Sequence, residues 1–257
     1  MHSGDARMNA LPQPASDWAL FLDFDGTLVE IADHPDAVVV PETLPGLLKR
    51  LAATLDGAVA IVSGRSLAGL DALLDGALPA MAGVHGLERR DGRGQTYAPL
   101  DRTPAFRQAR AAVQAFVEDH PGTVMEDKGN AITLHFRGAP AAADAARAML
   151  SAHCHAMGDE FVLMDGKQVL ELKPADQHKG TVVQTYMCEP PFAGRVPVFM
   201  GDDVTDEYAF AAVNQLGGHT IRVGDGDRAT AAHHTIDSVN EALQWLNRLA
   251  RQLADHR

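Results

Sequence analysis

Four short apolar runs in this chain carry no polar–apolar alternation, and each stops abruptly at an acid, a hydroxyl or a glycine. Trp18-Ala19-Leu20-Phe21-Leu22 ends at Asp23, and Val59-Ala60-Ile61-Val62 ends at Ser63-Gly64-Arg65. Val196-Pro197-Val198-Phe199-Met200 ends at Gly201-Asp202-Asp203, and His219-Thr220-Ile221-Arg222-Val223 ends at Gly224. A strand with one wet face alternates, so runs of this kind are expected to be strands covered on both faces. Helical periodicity separates them, over residues 44–55, 67–74, 181–186, 207–213 and 241–253. Strand and helix in alternation imply βαβ units and an α/β fold built on an open parallel sheet. Pro197 falls near the beginning of its run, where a strand tolerates it.

The middle of the chain breaks this rhythm. Thr103-Pro104 reads as an N-cap followed by proline at the first helical position, opening a helix to about residue 120. A hairpin follows over residues 124–128 and 131–137, turning at Gly129-Asn130, and Pro140 opens a second, alanine-rich helix to about residue 157. Residues 161–164 and 168–173 then flank Asp165-Gly166, a strong hairpin-turn dipeptide. Helix, hairpin, helix, hairpin is an α+β module of its own. The expected organisation is a flexible tail at 1–16, a core from 17–101 and 176–257, and an inserted domain at 102–175.

Charge narrows the partners. Lys and Arg number 22 against 34 Asp and Glu, a formal charge of −12, so a nucleic-acid partner would be repelled over most of the surface. An anionic small substrate then requires cations gathered locally. Cys154 and Cys188 lie far apart in no metal or redox spacing, and His153-Cys154-His155 point different ways on a helix. Residues 1–16 contain no apolar run, which reads as neither signal peptide nor membrane helix and implies a cytoplasmic protein.

In an open parallel sheet, ligands sit at the carboxyl ends of the strands. Asp23 and Asp25, Ser63, and Asp202 with Asp203 occupy those positions. Each has a plain structural reading: Asp25-Gly26 is an ordinary turn pair, Ser63 a natural cap for the helix near Leu67, and Asp203 to Asp206 a helix N-terminus. Together they form a set of converging carboxylates, which a hard divalent cation such as Mg²⁺ would relieve of mutual repulsion. Lys179 sits just before the helical pattern at Thr181. A cation there opposes the helix dipole unless an anion is shared between the two, which marks it as a candidate phosphate clamp.

Asp23-Phe24-Asp25-Gly26-Thr27-Leu28 resembles the first motif of the haloacid dehalogenase superfamily, with Ser63, Lys179 and Gly201-Asp202-Asp203 in the places of the second, third and fourth. Longer strings narrow the resemblance to trehalose-6-phosphate phosphatases. They are Val62-Ser63-Gly64-Arg65, Ala82-Gly83-Val84-His85-Gly86-Leu87-Glu88, and Gly201-Asp202-Asp203-Val204-Thr205-Asp206-Glu207. Phe24 stands where tyrosine is frequent, a change that leaves both acids in place.

The resemblance implies a Rossmann-like, haloacid dehalogenase-like core whose inserted α+β domain is a cap. It implies Asp23 as nucleophile and Asp25 as general acid and base. Asp23, the carbonyl of Asp25 and Asp202 would hold Mg²⁺, steadied by Asp203 or Asp206. Ser63, Gly64 and Lys179 would hold the phosphate. Residues 131–137 place Thr133, His135 and Arg137 on one strand face and Ile132, Leu134 and Phe136 on the other. Glu126, Lys128, Glu171 and Arg137 are the implied sugar contacts from the cap, with Arg65 and His85 from the core. The implied substrate is trehalose 6-phosphate, and the implied functional partner is a trehalose-6-phosphate synthase. Phosphatases of sucrose phosphate or mannosyl-glycerate phosphate share this architecture. A non-catalytic sugar-phosphate sensor is the alternative of another class, but it need not keep Asp23, Asp25, Lys179 and Asp202 together.

Overall fold

The structure is a computed structural model that describes residues 10–97 apart from 33, 35 and 36, residues 103–175 apart from 130, and residues 177–224 and 228–255, with residues 85 and 159 described in their backbone only. The expected tail therefore falls mostly outside the described residues, as do Asn130 of the expected turn and the expected boundary at 101–102. Met1–Tyr97 and His178–Arg257 form one compact unit and Ala98–Gln177 a second, where the sequence places an insertion at 102–175.

In chain order, the larger unit opens with β1 (Trp18–Leu22), α1 (Leu44–Thr54), β2 (Val59–Val62), α2 (Leu67–Leu74), β3 (Met81–Gly83), β4 (Glu88–Arg90) and β5 (Thr96–Tyr97). The smaller unit follows with α3 (Pro104–Asp119), β6 (Val124–Asp127), β7 (Ile132–His135), α4 (Ala143–Ala156), β8 (Phe161–Gly166) and β9 (Val169–Pro174). The larger unit resumes with α5 (Lys179–Met187), β10 (Val196–Gly201), α6 (Glu207–Gln215), β11 (His219–Val223), β12 (His234–Ile236) and α7 (Val239–Asp255).

The larger unit's sheet has the order β12-β11-β10-β1-β2-β3-β4-β5. From β12 to β3 every pairing is parallel, and β4 and β5 extend the edge antiparallel. All of β1 is buried, as the absence of alternation requires. Leu20 and Leu22 join one core cluster with Leu47 of α1, Leu70 of α2 and Leu246 of α7. Phe21 faces the other way, packing with Val183 and Tyr186 of α5 and Phe210 of α6. The result is a helix–sheet–helix sandwich whose strand ends are free to carry chemistry.

The smaller unit is an antiparallel sheet of order β6-β7-β9-β8. Ile132, Leu134, Leu170 and Leu172 share its apolar face, packed on Phe106 and Val113 of α3 and Leu150 of α4. Two expectations need correcting here. The strand expected to reach Arg137 ends at His135, and Arg137 lies in an exposed turn beyond it. The second hairpin does not turn at Asp165-Gly166. It turns at Lys167-Gln168, with Gly166 opposite Val169 and Gln168 at φ +62°. Gly166 is there for space: a Cβ would meet Val169 Cγ1 at 2.5 Å. Asp165 is held in its strand by the guanidinium of Arg147 on α4.

Leu134→Ala should lower stability in urea unfolding by about 2–5 kcal/mol, because it opens a cavity in this fully buried cluster. His135→Ala, on the polar face of the same strand, should stay within about 0.5 kcal/mol.

Candidate active site

The register of β1 on β10, with Leu22 opposite Met200, brings the residues after both strands together. The Asp23 amide donates to the Met200 carbonyl at 2.9 Å. Asp23 is 4% exposed and Lys179, the first residue of α5, 3%. The Lys179 ammonium donates to Asp23 Oδ1 and to Asp206 Oδ1, each at 2.7 Å. Asp206 Oδ2 accepts the amides of Asp202 at 3.0 Å and Asp203 at 2.9 Å. Both oxygens of this fully buried acid are therefore engaged, and it ties the lysine to the backbone that carries Asp202.

Thr27 Oγ1 lies 3.2 Å from Asp202 Oδ1 and 3.4 Å from Asp23 Oδ2, so one hydroxyl proton is shared between the two strand-end acids. Two glycines make the approach feasible. Gly26 adopts φ +81°, and a Cβ there would sit 2.1 Å from Asp202 Oδ2. At Gly201 a Cβ would sit 2.3 Å from Asp206 Cγ. Neither position tolerates a side chain without moving a carboxylate.

The cluster sets three carboxylates against one ammonium, which bonds two of them, and the proton affinities show the imbalance. Burial alone would lower the Lys179 pKa, but Asp206 and Asp23 more than reverse this and hold it above its ordinary value. Burial raises Asp23 well above the usual carboxylate range; Lys179 opposes the rise, while Asp206 and Asp202 add to it. Asp202 is pushed up to about 6 by burial and by the charge of Asp206. One oxygen each from Asp23, Asp202 and Asp206 lie within 4.8 Å of one another, an acidic group that could hold a divalent cation. Hard oxygen donors carrying excess negative charge suit Mg²⁺. A cavity of about 440 Å³ beside Gly26 and Asp202, bounded by Arg222, Arg228 and Ser238, brings solvent to this side of the cluster.

Asp25 lies apart from this group. Its carboxylate receives Arg65 Nε and a terminal guanidinium nitrogen, both at 2.7 Å, and the guanidinium carbon lies 5.6 Å from the Phe24 ring centroid. Arg65, expected to touch substrate, thus holds the expected general acid. Ser63 is buried and its Oγ accepts the Arg65 amide at 3.1 Å, while Gly64 occupies the half-buried bend between them. The capping role open to Ser63 belongs instead to Ser66, whose hydroxyl accepts the Gly69 amide at 3.1 Å. Ser63 is therefore not a helix cap, and its hydroxyl instead pins the bend at Gly64. His85 lies in the 3₁₀ turn Val84–Gly86, its side chain outside those described.

Asp203 does not support Asp202 through its side chain. The carboxylate is 58% exposed with Arg228 at 3.9 Å; Asp203 joins the network through a reciprocal capping box with Asp206, its amide donating to Asp206 Oδ2 at 2.9 Å and its carbonyl accepting the Asp206 amide at 3.1 Å.

On the smaller unit's polar face, Glu126, Thr133 and Glu171 stand in one cross-strand row. Lys128 Nζ donates to Glu171 Oε1 at 3.1 Å, Thr133 Oγ1 lies 3.4 Å from the same oxygen, and His135 Nε2 is 3.1 Å from Glu126 Oε2. Arg137 lies in the exposed turn that follows β7.

A profile of the trehalose-phosphatase family matches residues 21–241. The chain belongs to this family. It is 40% identical over 246 residues to the trehalose-6-phosphate phosphatase of Escherichia coli K12, covering 96% of this chain and 91% of that protein. The C-terminal domain of the Candida albicans trehalose-6-phosphate phosphatase shares the fold at TM-score 0.75 and 22% identity, covering 91% of this chain and 93% of that one. A haloacid dehalogenase-like hydrolase from Bacteroides thetaiotaomicron shares it at TM-score 0.66 and 12% identity, over 90% and 98% of the two chains.

Within the trehalose-phosphatase chain, sequence reasoning assigned no role to Thr27 or Glu88, although both lie in strings singled out above. Glu88 Oε2 accepts the Leu67 amide at 2.8 Å, so β4 caps the helix that follows the Ser63 loop. The Val84 amide donates to the Arg65 carbonyl at 2.8 Å from the other side. The string from Ala82 to Glu88 thus braces the loop carrying Ser63 and Arg65.

Asp206→Ala would leave a buried ammonium with one partner and two amides with none. Urea unfolding should show a loss of about 3–5 kcal/mol, whereas Asp203→Ala, which removes only the N-cap side chain of the following turn, should cost about 1 kcal/mol.

Proposed function

We propose that the chain hydrolyses trehalose 6-phosphate to trehalose and inorganic phosphate through a phosphoenzyme on Asp23. The observation that carries this reading is the buried Asp23 carboxylate, oriented by Lys179 beside Asp202, in a chain of the trehalose-phosphatase family. An Asp23 oxygen attacks phosphorus, the ester P–O bond breaks, and the departing sugar oxygen takes a proton from Asp25. Water then attacks the phosphoenzyme, Asp25 receives its proton, and the bond to Asp23 breaks to release inorganic phosphate.

Asp25 is held by Arg65 before this can happen, and the substrate phosphate offers Arg65 a competing anion that frees it. Ser63, the Gly64 backbone and Lys179 position the phosphate oxygens, since phosphoryl transfer needs mainly placement and charge stabilisation. Asp23, the Asp25 carbonyl and Asp202 would hold Mg²⁺, which when bound neutralises charge on the transferring group. Asp206 steadies Asp202 through its amide. Glu126, Lys128 and Glu171 bind the sugar, because fixed donors and acceptors on one face match an array of hydroxyls. Thr133 and His135 complete that face.

Released phosphate from trehalose 6-phosphate, measured with Mg²⁺ and with a chelator, should appear only with the metal. Asp23→Asn should lower kcat by at least about 1,000-fold with the fold intact; an active Asp23→Asn enzyme sinks the proposal. Glu126→Ala or Lys128→Ala should raise KM for trehalose 6-phosphate about 10-fold, and an unchanged kcat/KM would remove the sugar assignment. Faster turnover of sucrose phosphate or mannosyl-glycerate phosphate would move the substrate to another sugar.

A further inference from the structure

Lys179 is anchored at both ends, and only one anchor belongs to the site. Its ammonium is held by Asp23 and Asp206, while its backbone opens α5, where the helix dipole disfavours a cation. That first turn is fixed by His178. The His178 amide donates to Thr181 Oγ1 at 3.2 Å, and the Thr181 amide donates to His178 Nδ1 at 3.2 Å. The imidazole therefore serves as the helix cap, a task that requires its ring to stay in one orientation.

Tyr208, on the first turn of α6, supplies that constraint. Its ring stacks on His178 with centroids 4.8 Å apart and planes 22° from parallel. Its carbonyl packs on Gly180 so closely that a Cβ there would come within 2.4 Å. Tyr208 thus grips the residues on both sides of Lys179, from the same turn that follows Asp206. Half of Tyr208 is exposed, so the core around it gains little from its burial.

We propose that Tyr208 is a positioning residue for Lys179: stacked on the capping imidazole of His178, it fixes the turn that aims the ammonium at Asp23. This rests on the role given to Lys179 and Asp23 in phosphoryl transfer. Displacement of such a group by a fraction of an ångström weakens catalysis without weakening sugar binding.

Steady-state kinetics of released phosphate from trehalose 6-phosphate, with Mg²⁺, tests this. Tyr208→Ala and Tyr208→Leu should lower kcat about 10-fold with KM changed less than about twofold, and Tyr208→Phe, which keeps the ring, should restore kcat. His178→Asn retains a capping acceptor but loses the stack. It should lose kcat to a similar degree, and the double variant with Tyr208→Ala should fall no further. Overturning results are an unchanged kcat in Tyr208→Ala, a loss confined to KM (a sugar contact instead), or additive losses in the double variant. An active Asp23→Asn enzyme would instead remove the underlying mechanism, so the two failures are distinguishable.

Discussion

The buried ion pairs of Lys179 hold this site together. A lysine that is almost wholly removed from water needs partners with good geometry, and it has two carboxylates at 2.7 Å. Asp206 passes the constraint to the backbone of Asp202 and Asp203, while Asp23 passes it to β1 and so to the centre of the sheet. Three segments distant in sequence are thereby fixed by one ammonium: the end of β1, the start of α5 and the turn before α6. Because Asp23, Asp202 and Asp206 converge on a single ammonium, the cluster remains over-charged, an excess that a divalent cation would relieve.

Much of this was legible in the sequence, for reasons that can be traced. The runs ending at Asp23, Ser63, Gly201 and Gly224 lack alternation because helices cover both faces of the sheet, so their strand character could be read directly. The short strands β3, β4, β5 and β12 carry two or three residues each, too few for periodicity to show. Asp165-Gly166 misled because its glycine answers a packing constraint against Val169 rather than a turn. Lys179 was singled out because a cation at a helix N-terminus needs an anion, and the anions proved to be Asp23 and Asp206. The bond between Arg65 and Asp25 had no sequence signal, since it depends on how two loops from different strands meet.

The two units divide the proposed labour. In the larger one, carboxylates and a lysine have no freedom to reorganise, which suits transfer of a highly charged group. The smaller one presents a row of paired charges on one sheet face, with apolar residues on the other packed on its helices. Such a face suits hydroxyl groups that must be recognised by direction rather than by charge. On this proposal, chemistry and substrate choice can be altered separately.

The most direct measurement is to find the phosphoryl group in mid-reaction. Enzyme mixed with trehalose 6-phosphate and Mg²⁺, quenched in acid within one turnover and reduced with borohydride, should contain homoserine at position 23, identified by peptide mass spectrometry. Unmodified Asp23 in a fully active preparation, or the phosphoryl group on another residue, would contradict a phosphoenzyme on Asp23.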